Sequence, residues 1–221
     1  MANMASLQNL WQPASELKDR AASKFSPLSA PGLKSLFLKG LERGTITEFN
    51  GRRSSGRTSA SLHVLAQSTK RGEVCAVIDL NDSFHPASAG SAGVALDRVV
   101  WIRCAGNAEH ALRAADLLLH AGGFGVVLLD LCEASPRVLN RIPLSYWYRF
   151  RRSIEHTPTI LLICADTPQA KSCSLNRVEL KSRSFRWSGQ TPFLLLRGIE
   201  VNAARKLGSF PAEPLFIQAV A

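Results

Sequence analysis

Residues 51–58, which read GRRSSGRT, constrain this chain more than any other stretch. Their spacing is that of a phosphate-binding loop, G-x-x-x-x-G-K-[ST], with arginine in the lysine position. Glycines let such a loop turn sharply and approach a polyphosphate, and the N–H groups that open the following helix supply positive potential. A Gly/Ser/Arg-rich connection without a ligand is the alternative. The candidate nucleotide contacts are Gly51, Ser54, Ser55, Gly56, Arg57 and Thr58, with Thr58 also a magnesium ligand.

The residues around this loop predict an α/β fold. Thr45–Phe49 is a short strand before the loop, and the pattern from Arg57 to about Lys70 is helical. Nearly continuous apolar strands separated by helices indicate a mainly parallel sheet that is covered on both faces. The further strands predicted are Glu73–Leu80, Val99–Cys104, Phe124–Leu131 and Thr159–Cys164, and the helices between them are Asn107–His120 and Leu144–Glu155.

The N-terminal part of the chain departs from this alternation. Residues 1–43 read as a short, separate helical segment, with one helix starting near Ser15 and a second over Leu33–Leu41. The sequence therefore predicts two units, the helical segment 1–43 and a core over 44–221 that includes a basic C-terminal strand region.

That C-terminal region alternates like antiparallel strands. Arg177–Trp187 and Thr191–Val201 form a predicted hairpin, and Leu215–Val220 is a last strand. With odd positions on one face, basic side chains and rings would be displayed together for a nucleic acid or an acidic partner. The alternative is that the rings pack in the core while the charges are solvated. The residues on that face are Arg177, Lys181, Arg183, Phe185 and Trp187, and Arg186 is a further candidate partner residue beside the rings.

The composition favours a basic cytoplasmic protein without a membrane span. The 221 residues include 27 Lys and Arg against 17 Asp and Glu, so the formal net charge is +10. No apolar run is long enough to cross a bilayer, and the N-terminus lacks the pattern of a secretory signal. The five cysteines lie largely in apolar, strand-like contexts, and no spacing among them resembles a zinc site. We expect buried free thiols in a reducing compartment.

One carboxylate lies where a phosphate-binding loop needs a metal-binding partner. Asp130 ends a buried strand, and from a strand next to the loop strand it would hold the water shell of a magnesium ion. The alternative is that Asp130 caps a helix or lies in a surface turn.

Four blocks of this sequence follow one another as in the RecA recombinase family: GTITEFNGRRSSGRTSASLHVLAQ, GEVCAVIDLNDSFHPASA, NAEHALRAADLLL and VVLLDL. The chain resembles that family from Gly44 to about Leu131, which implies a RecA-like core and a site for ATP and magnesium.

Departures from the family pattern imply a degraded nucleotide site. The family has lysine at the position of Arg57 and a catalytic glutamate at that of Asn81, and an amide cannot act as a base. Asp82 is adjacent but is expected to point elsewhere, and His85 lies where the family contacts adenine. In the family the strand that corresponds to Ile160–Cys164 ends in a polar sensor residue, commonly glutamine, whereas here Ala165-Asp166 follows. The two loops that bind DNA in the family also look short: one lies between Asp130 and Tyr146, and the other is reduced to about Thr167–Ser174.

With these departures the chain is similar to the ImuA type of bacterial RecA-like protein. The resemblance implies a DNA-repair adaptor in SOS-induced translesion synthesis that binds ATP and magnesium weakly or not at all. The implied partners are a Y-family polymerase homologue or another mutasome component, RecA recombinase and single-stranded DNA, with no membrane. An active DNA-dependent ATPase or recombinase paralogue is one alternative, and an SOS cell-division inhibitor is another.

Overall fold

A computed structural model describes residues 23–192, 194–205 and 215–218. The expected helix start at Ser15 lies outside these residues. The strands of the described residues are β1 (Phe25–Ser26), β2 (Leu41–Glu42), β3 (Ile46–Asn50), β4 (Val74–Asp79), β5 (Val99–Arg103), β6 (Phe124–Asp130), β7 (Ile160–Ala165), β8 (Ser174–Ser188), β9 (Leu195–Arg205) and β10 (Leu215–Gln218).

Eight of these strands form one sheet in the order β10-β9-β8-β3-β7-β6-β4-β5, and β1 pairs with β2 separately. The pairs from β8 across to β5 are all parallel, whereas β9 runs antiparallel to both β8 and β10. The predicted fold class, a mainly parallel α/β sheet with antiparallel C-terminal strands, is therefore confirmed.

Helices cover both faces of the sheet. They are α1 (Pro31–Leu36), α2 (Arg57–Lys70), α3 (Pro86–Ser91), α4 (Ala108–Ala121), α5 (Pro136–Leu139) and α6 (Leu144–Ile154). Local signals set the bounds of α4: the side chain of Asn107 accepts hydrogen bonds from the N–H groups of Glu109 and His110, and Gly122 ends the helix at φ 68°. No helix in the described part of the chain is long and apolar enough to cross a membrane.

Two apolar clusters hold the layers together. Val64 and Leu65 of α2 pack on one face of the sheet, and Trp147 and Phe150 of α6 pack with α4 on the other. Every residue of β7 is buried, as expected for a central parallel strand that has helices on both sides.

The second predicted N-terminal helix, Leu33–Leu41, was wrong at its end. The helix is Pro31–Leu36, and Leu41 belongs to β2. The chain turns between them at Gly40, which has φ 94° and lies so close to the backbone of Ser26 that a Cβ would be 2.1 Å from its carbonyl oxygen. Leu33, Phe37 and Leu41 are buried in the same cluster as α2.

The C-terminal hairpin has a register shift that the sequence pattern does not reveal. Lys181 pairs with Asn202, whereas Phe185 pairs with Ile199, because Arg183 is an extra residue between the pairs formed by its two neighbours. Such a bulge changes which face the following residues occupy. The expectation that Arg177 and Lys181 share a face with Phe185 and Trp187 was therefore wrong: the rings follow the face of the buried Val178 and Leu180.

Candidate functional site

The loop 51–56 joins β3 to α2, the strand–loop–helix setting of a phosphate-binding loop. Gly56 adopts φ 88° immediately before the helix, and Ser54 adopts φ 59°. Thr58 is exposed in the first turn of α2, whereas Ser55 and Arg57 are buried. The backbone therefore has the turn that such a loop requires, but one of its charged side chains is directed inward.

Gly51 is required by packing as well as by the motif. A Cβ at this position would lie 2.4 Å from the carbonyl oxygen of Leu180 on β8 and 2.4 Å from Oγ of Ser55. We expect Gly51→Ala to lower the free energy of unfolding by about 1–3 kcal/mol, because the backbone of β8 would have to move. Urea unfolding measures the change. Gly90→Ala is the matched control, since its Cβ would meet only Leu96 Cδ1 at 3.7 Å, and equal midpoints for the two variants would contradict the prediction.

Arg57 is engaged within the protein. Its guanidinium donates to the carbonyl oxygen of Gly51, and its Nη1 lies 2.5 Å from Oδ1 of Asp166, which follows β7. The backbone N–H of Glu133 also donates to that carboxylate, at 3.3 Å, and Glu133 forms an ion pair with Arg53 at 3.1 Å. Two basic side chains of the loop are thus neutralised by acids from the ends of the neighbouring segments.

This pairing predicts an asymmetric response to mutation. Asp166→Ala would leave the buried guanidinium of Arg57 without its counter-charge, and we expect a loss of roughly 1–3 kcal/mol in the free energy of unfolding. Arg53→Ala removes an exposed ion pair and should cost less than about 1 kcal/mol. Thermal or urea unfolding of both variants gives the comparison. A loss as small for Asp166→Ala as for Arg53→Ala would show that Arg57 does not depend on Asp166.

Asp130 ends β6, but β7 lies between β6 and the loop strand β3. The expectation of a directly neighbouring strand was therefore wrong. Asp130 instead lies in register with Asp79 at the end of β4. Oγ of Ser83 donates to both carboxylates, at 3.1 Å from Asp130 Oδ2 and 3.3 Å from Asp79 Oδ1. Burial raises the pKa of Asp130 above its usual range, and the nearby Asp79 adds to the shift.

The residues after β4 have structural partners in place of catalytic ones. Nδ2 of Asn81 donates to the carbonyl oxygen of Cys132 at 2.7 Å. Asp82, at φ 57°, points away to form an ion pair with Nε of Arg103 at 2.9 Å, as the sequence predicts. His85 caps α3 by accepting from the N–H of Ser88. A carboxylate that could activate water is therefore not supplied by position 81 or 82.

The two connections expected to be short DNA-binding loops are held to the core. Between β6 and α6, Leu139 and Ile142 are buried. After β7, the N–H groups of Gln169 and Ala170 donate to the buried carboxylate of Glu48 on β3, at 3.3 and 2.5 Å. Burial raises the pKa of Glu48, and these two hydrogen bonds and Arg177 oppose that shift.

Two cysteines meet beside Asp130. Sγ of Cys132 lies 3.2 Å from Sγ of Cys164, and both side chains are buried. The sequence does not predict this pair, nor the pairing of Asp166 with Arg57, because the residues are far apart in the chain and only the pairing of strands brings them together.

The predicted nucleic-acid or partner residues lie on both faces of the hairpin. Arg177 lies close to the core, where Nη2 donates to the carbonyl oxygen of Lys171 at 2.6 Å. Lys181 forms an exposed ion pair with Glu179 at 2.8 Å, and Arg186 pairs with Glu200. The alternative that the rings pack in the core is wrong: the exposed fraction is 46% for Phe185 and 56% for Trp187, and Arg183 is exposed as well.

A parallel sheet, a glycine loop that opens a helix and an acid two strands away define a RecA-like phosphate-loop core. The chain belongs to the RecA N-terminal domain family, whose profile matches residues 21–138, more than half of the chain.

Three similar proteins, each named protein RecA, illustrate the relationship. The chain is 38% identical over 99 residues to the RecA of Rickettsia prowazekii (strain Madrid E), and this alignment covers 45% of the chain and 29% of that relative. The match to Rhodospirillum rubrum is also 38% over 99 residues, covering 45% and 27%. The match to Bifidobacterium breve is 38% over 99 residues, covering 45% and 25%. The chain thus aligns with less than a third of the length of these relatives.

Proposed function

We propose that this chain is a non-enzymatic, RecA-like DNA-repair adaptor of the ImuA type, which acts in SOS-induced translesion synthesis in the cytoplasm. The observation that carries the proposal is the state of Arg57. Its side chain is 5% exposed and is bound by Asp166 and by the carbonyl oxygen of Gly51. A basic residue held in this way is not directed at a phosphate, so the loop serves the fold more than it serves chemistry.

The residues fit ATP and magnesium only in part. The left-handed Gly56, the N–H groups at the start of α2 and the exposed Thr58 retain a cradle for a phosphate, so weak binding is compatible with the site. Arg57 and Asn81 do not fit hydrolysis, because the first is paired internally and the second lacks a carboxylate. Bound magnesium nucleotide would bring phosphoryl chemistry, for which this chain offers no general base at position 81.

The surfaces available for partners lie outside this site. The hairpin of β8 and β9 carries exposed rings on one face, which are available to stack on the bases of a single strand or to contact a protein, and basic side chains on the other, which are available to an acidic partner. In the proposed role the partners are a Y-family polymerase homologue or another mutasome component, and RecA recombinase. Residues 1–43 are proposed as a lead segment to the 44–221 core, and its described part contains β1, α1 and β2 and packs on that core.

The proposal is tested in cells. Deleting the gene from its host should lower the frequency of damage-induced mutations, and both the wild-type chain and Thr58→Ala should restore it. Thr58→Ala removes the candidate magnesium ligand from an exposed position, so it tests nucleotide chemistry without disturbing the core. Loss of function in a stable Thr58→Ala protein would overturn the non-enzymatic role and favour the ATPase alternative.

The cell-division alternative is separated by a second readout. Expression of the chain in a strain without a polymerase partner should leave cell length unchanged if the adaptor proposal is right. Filamentation under those conditions, together with an unchanged mutation frequency in the deletion strain, would instead support an SOS division inhibitor.

A further inference from the structure

Three potential metal-binding side chains converge beside the candidate nucleotide site. A carboxylate oxygen of Asp130, Sγ of Cys132 and Sγ of Cys164 all lie within 4.8 Å of one another, and all three residues are buried. Asp130 is the last residue of β6, Cys132 follows two residues later, and Cys164 lies in β7. Neither cysteine has a role in the proposed adaptor function, so this cluster is unexplained by it.

The backbone fixes these three residues in place. Asp130 and Cys164 are partners in the parallel ladder, and the N–H of Leu131 donates to the carbonyl oxygen of Cys164 at 2.8 Å. The N–H of Cys132 donates to Oδ1 of Asp130 at 2.9 Å. The cluster is therefore built on the central strands of the sheet, which is the setting in which ligand geometry is held most firmly.

The charge around the cluster also favours a cation. Asp79 and Asp130 are both buried at adjacent strand ends, and in the part of the chain that the structure describes neither forms an ion pair with a lysine or arginine. The guanidinium of Arg57 lies near both thiols, but its charge is balanced by the ion pair with Asp166. Asp79 accepts hydrogen bonds from the N–H groups of Ser83, Phe84 and Trp101. Asp130 accepts from the N–H of Cys132 and from Oγ of Ser83. These bonds bring no positive charge, which a bound cation would supply.

We propose that Asp130, Cys132 and Cys164 bind a thiophilic divalent cation, zinc being the leading candidate. Thiolates select zinc, whereas magnesium prefers oxygen ligands, so the two sulfurs define the class of ion. Both thiols release their protons on binding. The three side chains leave a fourth position for water or another ligand, and the ion joins the ends of β6 and β7 next to the glycine loop.

The sulfur separation favours metal over a disulfide. Tetrahedral zinc with bonds of about 2.3 Å holds two thiolates roughly 3.8 Å apart. The two Sγ atoms are 3.2 Å apart, so they would have to separate by roughly 0.6 Å to bind one zinc ion. To form a disulfide bond of about 2.05 Å, the two sulfur atoms would have to approach each other by more than about 1 Å. The smaller adjustment is the one toward the metal.

Cobalt(II) titration of the full chain tests the site, because thiolate-to-cobalt charge transfer gives an absorption band that reports sulfur ligands. Reduced, chelator-treated protein should take up one equivalent of cobalt with this band, and zinc should displace it and raise the melting temperature. Cys132→Ser and Cys164→Ser should each weaken cobalt binding by at least about tenfold and reduce the band. Cys173→Ser, at a buried cysteine outside the cluster, is the matched control and should leave both unchanged.

Asp130→Asn keeps the proposal testable if the cysteine variants do not fold. It preserves the side-chain volume and both sulfurs, so the charge-transfer band should remain while the affinity for cobalt falls by at least about tenfold. Absence of the band and of bound zinc in folded wild-type protein would overturn the proposal. A Cys132–Cys164 disulfide found by peptide mapping after purification under reducing conditions would overturn it as well. None of these outcomes depends on whether the chain acts as an adaptor.

Discussion

Purified protein should hydrolyse ATP about two to four orders of magnitude more slowly than a RecA-type enzyme that has lysine and glutamate at the positions of Arg57 and Asn81, with or without single-stranded DNA. The cause is twofold. Arg57 is bound to Asp166 and to the carbonyl oxygen of Gly51, and the amide of Asn81 donates to the carbonyl oxygen of Cys132 and cannot accept a proton from water. A continuous phosphate-release assay is sensitive enough to measure the residual rate.

Two variants make this result interpretable. Thr58→Ala identifies the source of the trace rate, because this variant lacks the candidate magnesium ligand of the loop and any rate that it retains arises elsewhere. Arg57→Lys combined with Asn81→Glu restores the family's residues and tests whether they suffice for ATP hydrolysis. Because Asp166 would still pair with the lysine at position 57, we expect at most a partial gain in the rate. Turnover in the wild-type chain that is robust and is abolished by Thr58→Ala or Asp130→Ala would contradict the prediction.

Most of the core could be predicted from the sequence because its signals are local. The apolar run Phe124–Leu131 predicts a strand that the structure places at Phe124–Asp130, and the helix predicted from Arg57 to about Lys70 has those same bounds. Buried parallel strands and amphipathic helices each leave a periodicity in a short window of residues. The helix over Leu33–Leu41 failed because the left-handed turn at Gly40 depends on contact with Ser26, which no local pattern contains.

The chemistry of the site could be predicted less completely, because it depends on which strand ends meet. The sequence indicates Arg57 and Asp130 as site residues, but not that Arg57 would pair with Asp166 or that β7 separates β6 from the loop strand. The contact between Cys132 and Cys164 has the same origin. Strand order is a long-range property, and the spacing of cysteines along the chain does not report it.

The hairpin should carry the DNA affinity of this protein, and its two faces should contribute in different ways. Lys181→Glu with Arg183→Glu removes two exposed charges, and each phosphate contact of a single strand contributes about 0.7 to the salt slope. We therefore expect the slope of log K against log salt to fall by roughly 1.4, together with the affinity. Fluorescence anisotropy with a labelled single-stranded oligonucleotide, over a range of salt concentrations, measures both.

The rings on the opposite face test stacking separately. Trp187→Ala removes a largely exposed side chain, and loss of one base–aromatic stack costs about 1–3 kcal/mol of binding free energy. Because stacking involves no counter-ion, this variant should lower the affinity while leaving the salt slope unchanged.

Arg177 is a poor choice for charge reversal, because a glutamate there would face the buried Glu48. Oε2 of Glu48 lies 3.7 Å from Nε of Arg177.

A matched change of charge elsewhere separates a local surface from the general attraction of a chain with net charge +10. Arg98→Glu with Arg113→Glu alters the net charge equally, and Arg98 precedes β5 at the opposite edge of the sheet while Arg113 lies on α4. This control should change the affinity only slightly. If it lowers the affinity and the slope as much as Lys181→Glu with Arg183→Glu does, DNA binding is non-specific. If none of the hairpin variants has an effect, the hairpin is not a DNA-binding surface, and the proposed adaptor works through protein contacts alone.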